Sequence, residues 1–100
     1  MAPLVSILIR AYNAERWIRA TLESAIGQDH ANREVILVND GSTDRTLEIA
    51  KKFQSKLVKI IDQENSGAAA ARNKALEHAQ GEYIQWLDHD DLLAPNKISA

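Results

Sequence analysis

Asp88-His89-Asp90-Asp91 follows directly on the apolar run Tyr83-Ile84-Gln85-Trp86-Leu87. A strand that delivers carboxylates at its C-terminal tip can hold a divalent cation against a phosphate. Mg²⁺ and Mn²⁺ are hard cations that prefer oxygen ligands, and Mg²⁺ is held by one or two carboxylates while substrate phosphates and waters complete the shell. Asp-x-Asp alone is common in solvated loops, so the chemistry depends on its company. Tyr12 could stack on a base or pack on a neighbouring helix. Asp40 could accept a hydrogen bond from a base edge. Equally, Asn39-Asp40-Gly41-Ser42 is good turn chemistry, with Asp40 as an Asx-turn residue before the glycine. Gly67 falls at a predicted helix start, where backbone N–H groups and the positive dipole end favour phosphate. Arg72, further along that helix, could reach back to an anion or lie solvated. His89 fits a solvated residue or a partner of the flanking carboxylates better than a metal ligand. His30 and His78 read as surface residues, and Trp17 and Trp86 as core or sheet-face residues rather than sugar platforms.

Four short apolar runs must position these groups: Leu4–Ile9, Val35–Val38, Leu57–Ile61 and Tyr83–Leu87. They are rich in Val, Ile and Leu and mostly lack polar alternation, which suits strands of a parallel sheet covered on both faces. Helical spacing lies between them. Ala14, Ile18, Leu22, Ala25 and Ile26 share one face, with Asn13 as N-cap and Gly27 as C-terminal stop. A second helix is predicted from Ser42 or Thr43, with Asp44 in its first turn and Leu47, Ala50 and Phe53 inward. A third is predicted from Asn65 or Ser66 to Gly81, with Ala68, Ala71, Ala75, Leu76 and Ala79 inward. The pattern is β-α-β-α-β-α-β, and crossovers between parallel strands are right-handed in nearly all cases. Ligands of open α/β sheets bind beyond the carboxyl ends of the strands. Those ends deliver Ala11, Tyr12 and Asn13; then Asn39 to Ser42; then Asp62 to Gly67; then Asp88 to Asp91. An aromatic ring, a carboxylate, a glycine-bearing helix start and an acidic cluster on one rim are what a nucleoside diphosphate with a metal would need.

The composition bounds the reading. One hundred residues, 45% of them apolar, suffice for one modest domain. A net charge of −2 gives no push toward nucleic acid or an anionic membrane. With no cysteine, disulfides and thiolate metal sites are excluded. Met1 leads into Leu4–Ile9 with neither a basic leader nor a long apolar stretch, so a cytoplasmic protein is expected, with membrane association of a longer protein left open. Leu92 to Ile98 reads as a loop and the first turn of another helix, which suggests the front part of a longer domain.

Taken in order, Val5-Ser6-Ile7-Leu8-Ile9 with Ala11-Tyr12-Asn13, Val38-Asn39-Asp40-Gly41-Ser42-Thr43-Asp44, Asn65-Ser66-Gly67 with Ala71-Arg72-Asn73, Gly81-Glu82-Tyr83-Ile84 and Leu87-Asp88-His89-Asp90-Asp91 form five motifs. Together they resemble the N-terminal half of a family 2 glycosyltransferase with the GT-A fold. The resemblance runs from Val5 to about Lys97. It implies a Rossmann-like, three-layer α/β fold with an open parallel sheet of order 3-2-1-4, residues 1–100 being the nucleotide-sugar-binding part. It implies inverting transfer of a sugar from a nucleotide-diphosphate sugar, usually UDP-linked, to a glycan or lipid-linked acceptor, with Mg²⁺ or Mn²⁺ on the diphosphate. By that likeness Tyr12 lies beside the uracil ring, Asp40 reads its edge, Asp90 is the surest metal ligand, Asp88 serves ribose or metal, and Arg72 lies near the nucleotide. Ala11, Asn13 and Gly67 complete the nucleotide rim. No residue fits a catalytic base, which the resemblance places downstream.

Two residues depart from the family pattern: Arg10 stands where Pro is usual and Asn39 where the first of two Asp is usual. Asn39 leaves Asp40 intact, and which way Arg10 faces is open at this stage. Two rivals are a module that only holds a nucleotide or phosphate and a response-regulator-like signalling domain. The latter expects an acidic pair after the first strand, where this chain has Arg10-Ala11-Tyr12-Asn13. The fourth strand is expected at the sheet edge, where it could pair with a second copy.

Overall fold

The computed structural model describes residues 3–28 and 32–88. Its elements run β1 (Val5–Ala11), α1 (Ile18–Ile26), β2 (Arg33–Asp40), α2 (Thr46–Lys51), β3 (Val58–Gln63), α3 (Ala68–His78) and β4 (Tyr83–Asp88). The four strands form one parallel sheet in the order β3-β2-β1-β4, the order predicted from the sequence. β1 lies between β2 and β4, so the connections leaving it diverge and open a crevice at its carboxyl end.

β1 shows why polar alternation is missing. Ile7, Ile9 and Ala11 pack on one side with Ala14, Ile18, Leu22, Ala25 and Ala50, under α1 and α2. Leu8, Ile36 and Val38 pack on the other with Ala71 and Ala75 of α3. Each large aliphatic side chain buried this way stabilises the fold by about 1.5–3 kcal/mol. The methyl side chains of Ala71 and Ala75 let α3 lie close on the sheet. Ser6 interrupts the apolar run yet is fully buried. Its hydroxyl donates to Glu34 Oε2 at 2.6 Å and accepts from Gly81 N–H at 2.8 Å. A Cβ on Gly81 would lie 2.5 Å from the Ser6 hydroxyl and 2.7 Å from its backbone nitrogen, so this residue has room only for hydrogen.

Several predicted boundaries shift. The strands are longer at their carboxyl ends, so Ala11, Asn39, Asp40, Asp62 and Gln63 are the last strand residues rather than loop residues. Each helix starts later than its sequence pattern suggests. Asn13 is not an N-cap but takes a left-handed φ of 48°, and a turn through Trp17 leads into α1. Asp44 precedes α2, and its carboxylate receives the Thr46 N–H at 2.9 Å in an Asx turn that delays the helix. α3 begins after Gly67 and ends at His78, so Gly81 belongs to the entry of β4 rather than to a helix end. Ala68 and Leu76 face outward, and Leu47 is only half-buried.

The edge strands are not covered on both faces: Tyr83, Ile84 and Trp86 of β4 are 60%, 38% and 40% exposed. Trp86 is on the sheet as predicted, whereas Trp17 is half-exposed rather than in the core. No helix of the described residues is long and apolar enough to cross a membrane.

Candidate functional site

The carboxyl ends of β1, β2 and β4 bring the predicted rim residues together. Arg10 pairs in register with Val38 on one side and Asp88 on the other, and Asp40 pairs with Gln63. At the centre is Asp40, whose side chain is fully buried. Its Oδ2 accepts from Arg10 Nη2 at 3.0 Å. Its Oδ1 accepts from Gln63 Nε2 at 3.0 Å and from the Ser66 N–H at 2.9 Å. Its carbonyl accepts from Asn65 Nδ2 at 3.0 Å. Burial alone would push the carboxyl pKa up, but the donors from Gln63, Ser66 and Arg10 outweigh it and hold the group below its ordinary value of 3.8. Asp40 is therefore a carboxylate, and it ties β2 to the loop that leads into α3.

Arg10 lies over this carboxylate. Its side chain is 27% exposed, and its guanidinium carbon stands 5.5 Å from the Tyr12 ring centroid, within cation–π range. Its Nε–H is buried and finds no hydrogen-bond partner among the described residues. The orientation that sequence left open is thus settled: Arg10 connects Asp40 to Tyr12.

Two glycines shape the rim. Gly41 has a φ of 69°, and a Cβ built on it would sit 2.8 Å from Asn65 Cβ and 2.9 Å from Asn65 Cα. That close approach lets the Asn65-Ser66 segment reach Asp40. Gly67 heads α3 with φ 94° and ψ 165°, a conformation essentially reserved to glycine. The space where its Cβ would point is open to 4 Å, and the first N–H groups of α3 follow it.

Arg72 is placed differently. It stacks over Trp86 at 5.8 Å and lines an open groove of about 480 Å³ with Ala69, Asn73, Leu76 and Trp86. Trp86 pairs with Leu8, two residues before the Arg10–Asp88 pair, and Arg72 takes no part in the hydrogen bonds described for Asp40.

A second network, invisible to the sequence reading, fixes the loop that carries Tyr12. Asn13 Oδ1 accepts from the Thr43 N–H at 2.8 Å, and the Asn13 N–H donates to Ser42 Oγ at 2.9 Å. The buried Thr46 hydroxyl accepts from the Ala14 N–H at 2.7 Å and donates to Asp44 Oδ1 at 2.5 Å. Asn13 thus latches the β1–α1 loop to the β2–α2 loop. Asn39 has its own reason to be an amide: its Nδ2 donates to Asp62 Oδ1 at 2.9 Å and its Oδ1 accepts from Ser42 Oγ at 2.5 Å. An aspartate there would set two carboxylates against each other. The polar spacing of residues 39–46 was the signal available for this latch.

Asp88 closes β4, its backbone paired with Arg10 at the rim. His89, Asp90 and Asp91 lie outside the described residues, as does His30. Among the described residues no group of three or more His, Cys, Asp or Glu side chains converges as a metal site.

The comparisons with known proteins fall on this same framework. The family model described as glycosyl transferase family 2 matches residues 6–100. The putative teichuronic acid biosynthesis glycosyltransferase TuaG of Bacillus subtilis is 43% identical over 99 residues, covering 96% of this chain and 39% of TuaG. An uncharacterized glycosyltransferase of Rickettsia typhi is 44% identical over 97 residues, covering 97% of this chain and 30% of that protein. Among solved structures, Staphylococcus aureus TarS 1-349 in complex with UDP-GlcNAc superposes with a TM-score of 0.87 at 36% identity, over 95% of this chain and 29% of that one. The mannosyltransferase PcManGT of Pyrobaculum calidifontis, in complex with GDP-Man and Mn²⁺, superposes with a TM-score of 0.89 at 29% identity, over 99% of this chain and 31% of that one. The chain therefore spans about a third of the length of each of these four. With the sheet order, the motif positions and the family model in agreement over nearly every residue, the chain belongs to glycosyl transferase family 2 and has the GT-A fold.

Proposed function

We propose that the protein transfers a sugar from a nucleoside-diphosphate sugar, UDP-linked in the first instance, to an acceptor hydroxyl of a glycan or lipid-linked glycan, and that these residues supply the donor-binding part. The observation that carries this reading is the Tyr12–Arg10–Asp40 cluster at the crevice beside β1, with the glycine-headed start of α3 next to it. Tyr12 offers the base a flat face. Asp40 and Arg10 supply the polar groups beside it. Gly67 leaves room at the start of α3, where backbone N–H groups would meet phosphate oxygens. Ala11 and Asn13 hold the backbone on either side of Tyr12, and Arg72 adds positive charge along the same helix. That TarS was solved with UDP-GlcNAc and PcManGT with GDP-Man supports a nucleotide-sugar donor here.

The reaction proposed is inverting. The acceptor oxygen attacks the anomeric carbon, the bond from that carbon to the diphosphate oxygen breaks, and the nucleoside diphosphate leaves with the electron pair. A carboxylate base takes the acceptor proton; that base is assigned to the protein beyond residue 100. Asp88 and Asp90 would hold Mg²⁺ or Mn²⁺. Carboxylate oxygens are the donors such ions prefer, and Asp88 ends a strand at the crevice. The bound ion would neutralise charge on the leaving diphosphate. PcManGT was solved with Mn²⁺ as well as its donor, which favours a divalent ion.

We place the reaction in the cytoplasm, with no nucleic-acid partner. The outer edge of β4, with Tyr83, Ile84 and Trp86 exposed, is where two copies would pair. Isothermal titration with UDP, GDP, ADP and pyrophosphate, each with Mn²⁺ or with EDTA, tests the donor reading. Nucleoside diphosphates should bind tighter than pyrophosphate, and tighter with Mn²⁺. Equal affinity for pyrophosphate and UDP would reduce the protein to a phosphate-binding module.

A further inference from the structure

We propose that the outer face of the α1 and α2 layer is a docking surface for an anionic lipid membrane. The inference goes beyond the donor reading and does not depend on it. α1 and α2 cover the same side of the sheet, and their inward residues Ile18, Leu22 and Ala50 share one core. What this layer turns outward is basic. Arg16, Arg19, Arg45, Lys51, Lys52 and Lys56 are exposed, as are the acids Glu15, Glu23 and Glu48. Arg45 and Glu48 neutralise each other at 2.6 Å. That leaves Arg16, Arg19, Lys51, Lys52 and Lys56 against Glu15 and Glu23. The whole chain carries a net charge of −2, so the positive excess belongs to this face and the remainder of the molecule is the more acidic for it. Charge divided in this way points to an anionic partner at the basic face.

Two aromatic residues select the class of that partner. Trp17 is 50% exposed in the turn that enters α1. Phe53 follows α2 and is half-buried, with the Arg19 guanidinium carbon 5.7 Å from its ring centroid. Cations mixed with aromatic rings suit the headgroup zone of a bilayer. There the charged tips meet phosphates while the rings and aliphatic stems rest against the upper acyl chains. A small anion in water would engage the cations and give Trp17 nothing to pack on. No helix of the described residues is long and apolar enough to cross a membrane, so the contact is with the surface. Anionic lipids of a cytoplasmic leaflet supply the matching field, with about a fivefold gain in binding for each nearby Lys or Arg. Trp17 follows Tyr12 in the same connection from β1 to α1, so docking here holds that loop of the crevice close to the lipid surface.

Co-sedimentation of the chain with vesicles tests the proposal. One set is phosphatidylcholine alone and the other an equal mixture of phosphatidylcholine and phosphatidylglycerol. The wild type should bind the mixed vesicles and not the neutral ones, and high salt should release it. That comparison needs no variant to fold. The triple variant Lys51→Ala, Lys52→Ala, Lys56→Ala should lose on the order of a hundredfold in affinity for mixed vesicles. Trp17→Ala should lose about tenfold, the scale of partly burying a large apolar side chain. Lys59→Ala is the control. Lys59 is exposed on β3 next to Val58, whose side chain enters the α1 and α2 core, so Lys59 points to the opposite side of the sheet. Its loss should change vesicle affinity by no more than about twofold. UDP affinity of the triple variant should equal that of the wild type.

Equal binding to neutral and mixed vesicles, or to neither, would overturn the assignment. So would a triple variant that binds mixed vesicles as the wild type does, or a Lys59→Ala loss as large as one third of the triple variant's on a logarithmic scale. Tighter binding to a single-stranded oligonucleotide than to mixed vesicles would overturn the membrane in favour of a nucleic acid. A wild type that binds mixed vesicles but no nucleotide would overturn the donor reading and leave this one standing.

Discussion

Gly41→Ala isolates the joint on which the rim depends. Two effects add there. The residue has a φ of 69°, and placing a Cβ in the left-handed region costs about 1–2 kcal/mol. The new methyl would also overlap Asn65, whose Cβ and Cα would be 2.8 and 2.9 Å away. Asn65 cannot simply turn aside, because its backbone is part of the overlap and its Nδ2 holds the Asp40 carbonyl. Overpacking of this kind costs about 1–3 kcal/mol. The expected loss is roughly 2–5 kcal/mol, and with about 4–8 °C per kcal/mol for a domain of this size the Tm should fall by about 8 °C or more.

A circular-dichroism melt measures that fall, and Gly41→Asn separates its causes. Asparagine tolerates the left-handed region but carries the same Cβ. Gly41→Asn should therefore stay well below wild type, recovering only the conformational part. A Gly41→Asn protein as stable as wild type would refute the close-approach reasoning and leave backbone conformation as the whole effect. A Tm within about 2 °C of wild type for Gly41→Ala would refute both, since the smallest estimate above is several times larger.

Thr46→Val should lower stability by about 1–3 kcal/mol in urea unfolding, because the Ala14 N–H loses the Thr46 hydroxyl as its acceptor in a buried site; an unchanged midpoint would mean that water replaces the hydroxyl. The Asp40 and Asp44 carboxyls are held below their ordinary value of 3.8 by hydrogen bonds that outweigh burial. Their contribution to stability is complete above that value and is lost as pH falls through the lower folded-state pKa values. Asp44→Asn should accordingly flatten the acid limb of a Tm-versus-pH curve, and an identical acid limb would count against this. Arg45→Ala should leave Tm unchanged within error, because the Arg45–Glu48 pair is exposed at both ends; a clear drop would show that the pair orders α2. Gly81→Ala should destabilise without altering nucleotide affinity, since Gly81 contacts Ser6 and Leu4 at the opposite end of the sheet.

The strands were legible because β1 and β2 are buried on both faces and so read as runs of Val, Ile and Leu with little polar alternation. The strand order followed from the same runs together with the motif resemblance. The helix starts were misread because Asn13 and Asp44 look like caps, yet their side chains hold other loops: Asn13 reaches Thr43, and Asp44 arrests Thr46 in a turn. Trp17 was misplaced because apolar character carries no direction, and a tryptophan in a turn before α1 has no core to enter. The exposed faces of β3 and β4 escaped notice for a related reason, since edge strands keep the composition of buried ones. At the site, residue types suggested the rim, but sequence held no sign that Arg10 would cover Asp40. That contact spans 30 positions and depends on adjacent parallel strands ending in register.

The most direct test of a donor site at the crevice is an ¹⁵N-correlation titration of the chain with UDP and Mg²⁺. Amide shifts should concentrate at residues 10–13, 40–42, 65–68 and 88, and Ser6, Glu34 and Gly81 at the far end of the sheet should stay still. Shifts confined to that far end, or to residues 52–57 between α2 and β3, would contradict the account.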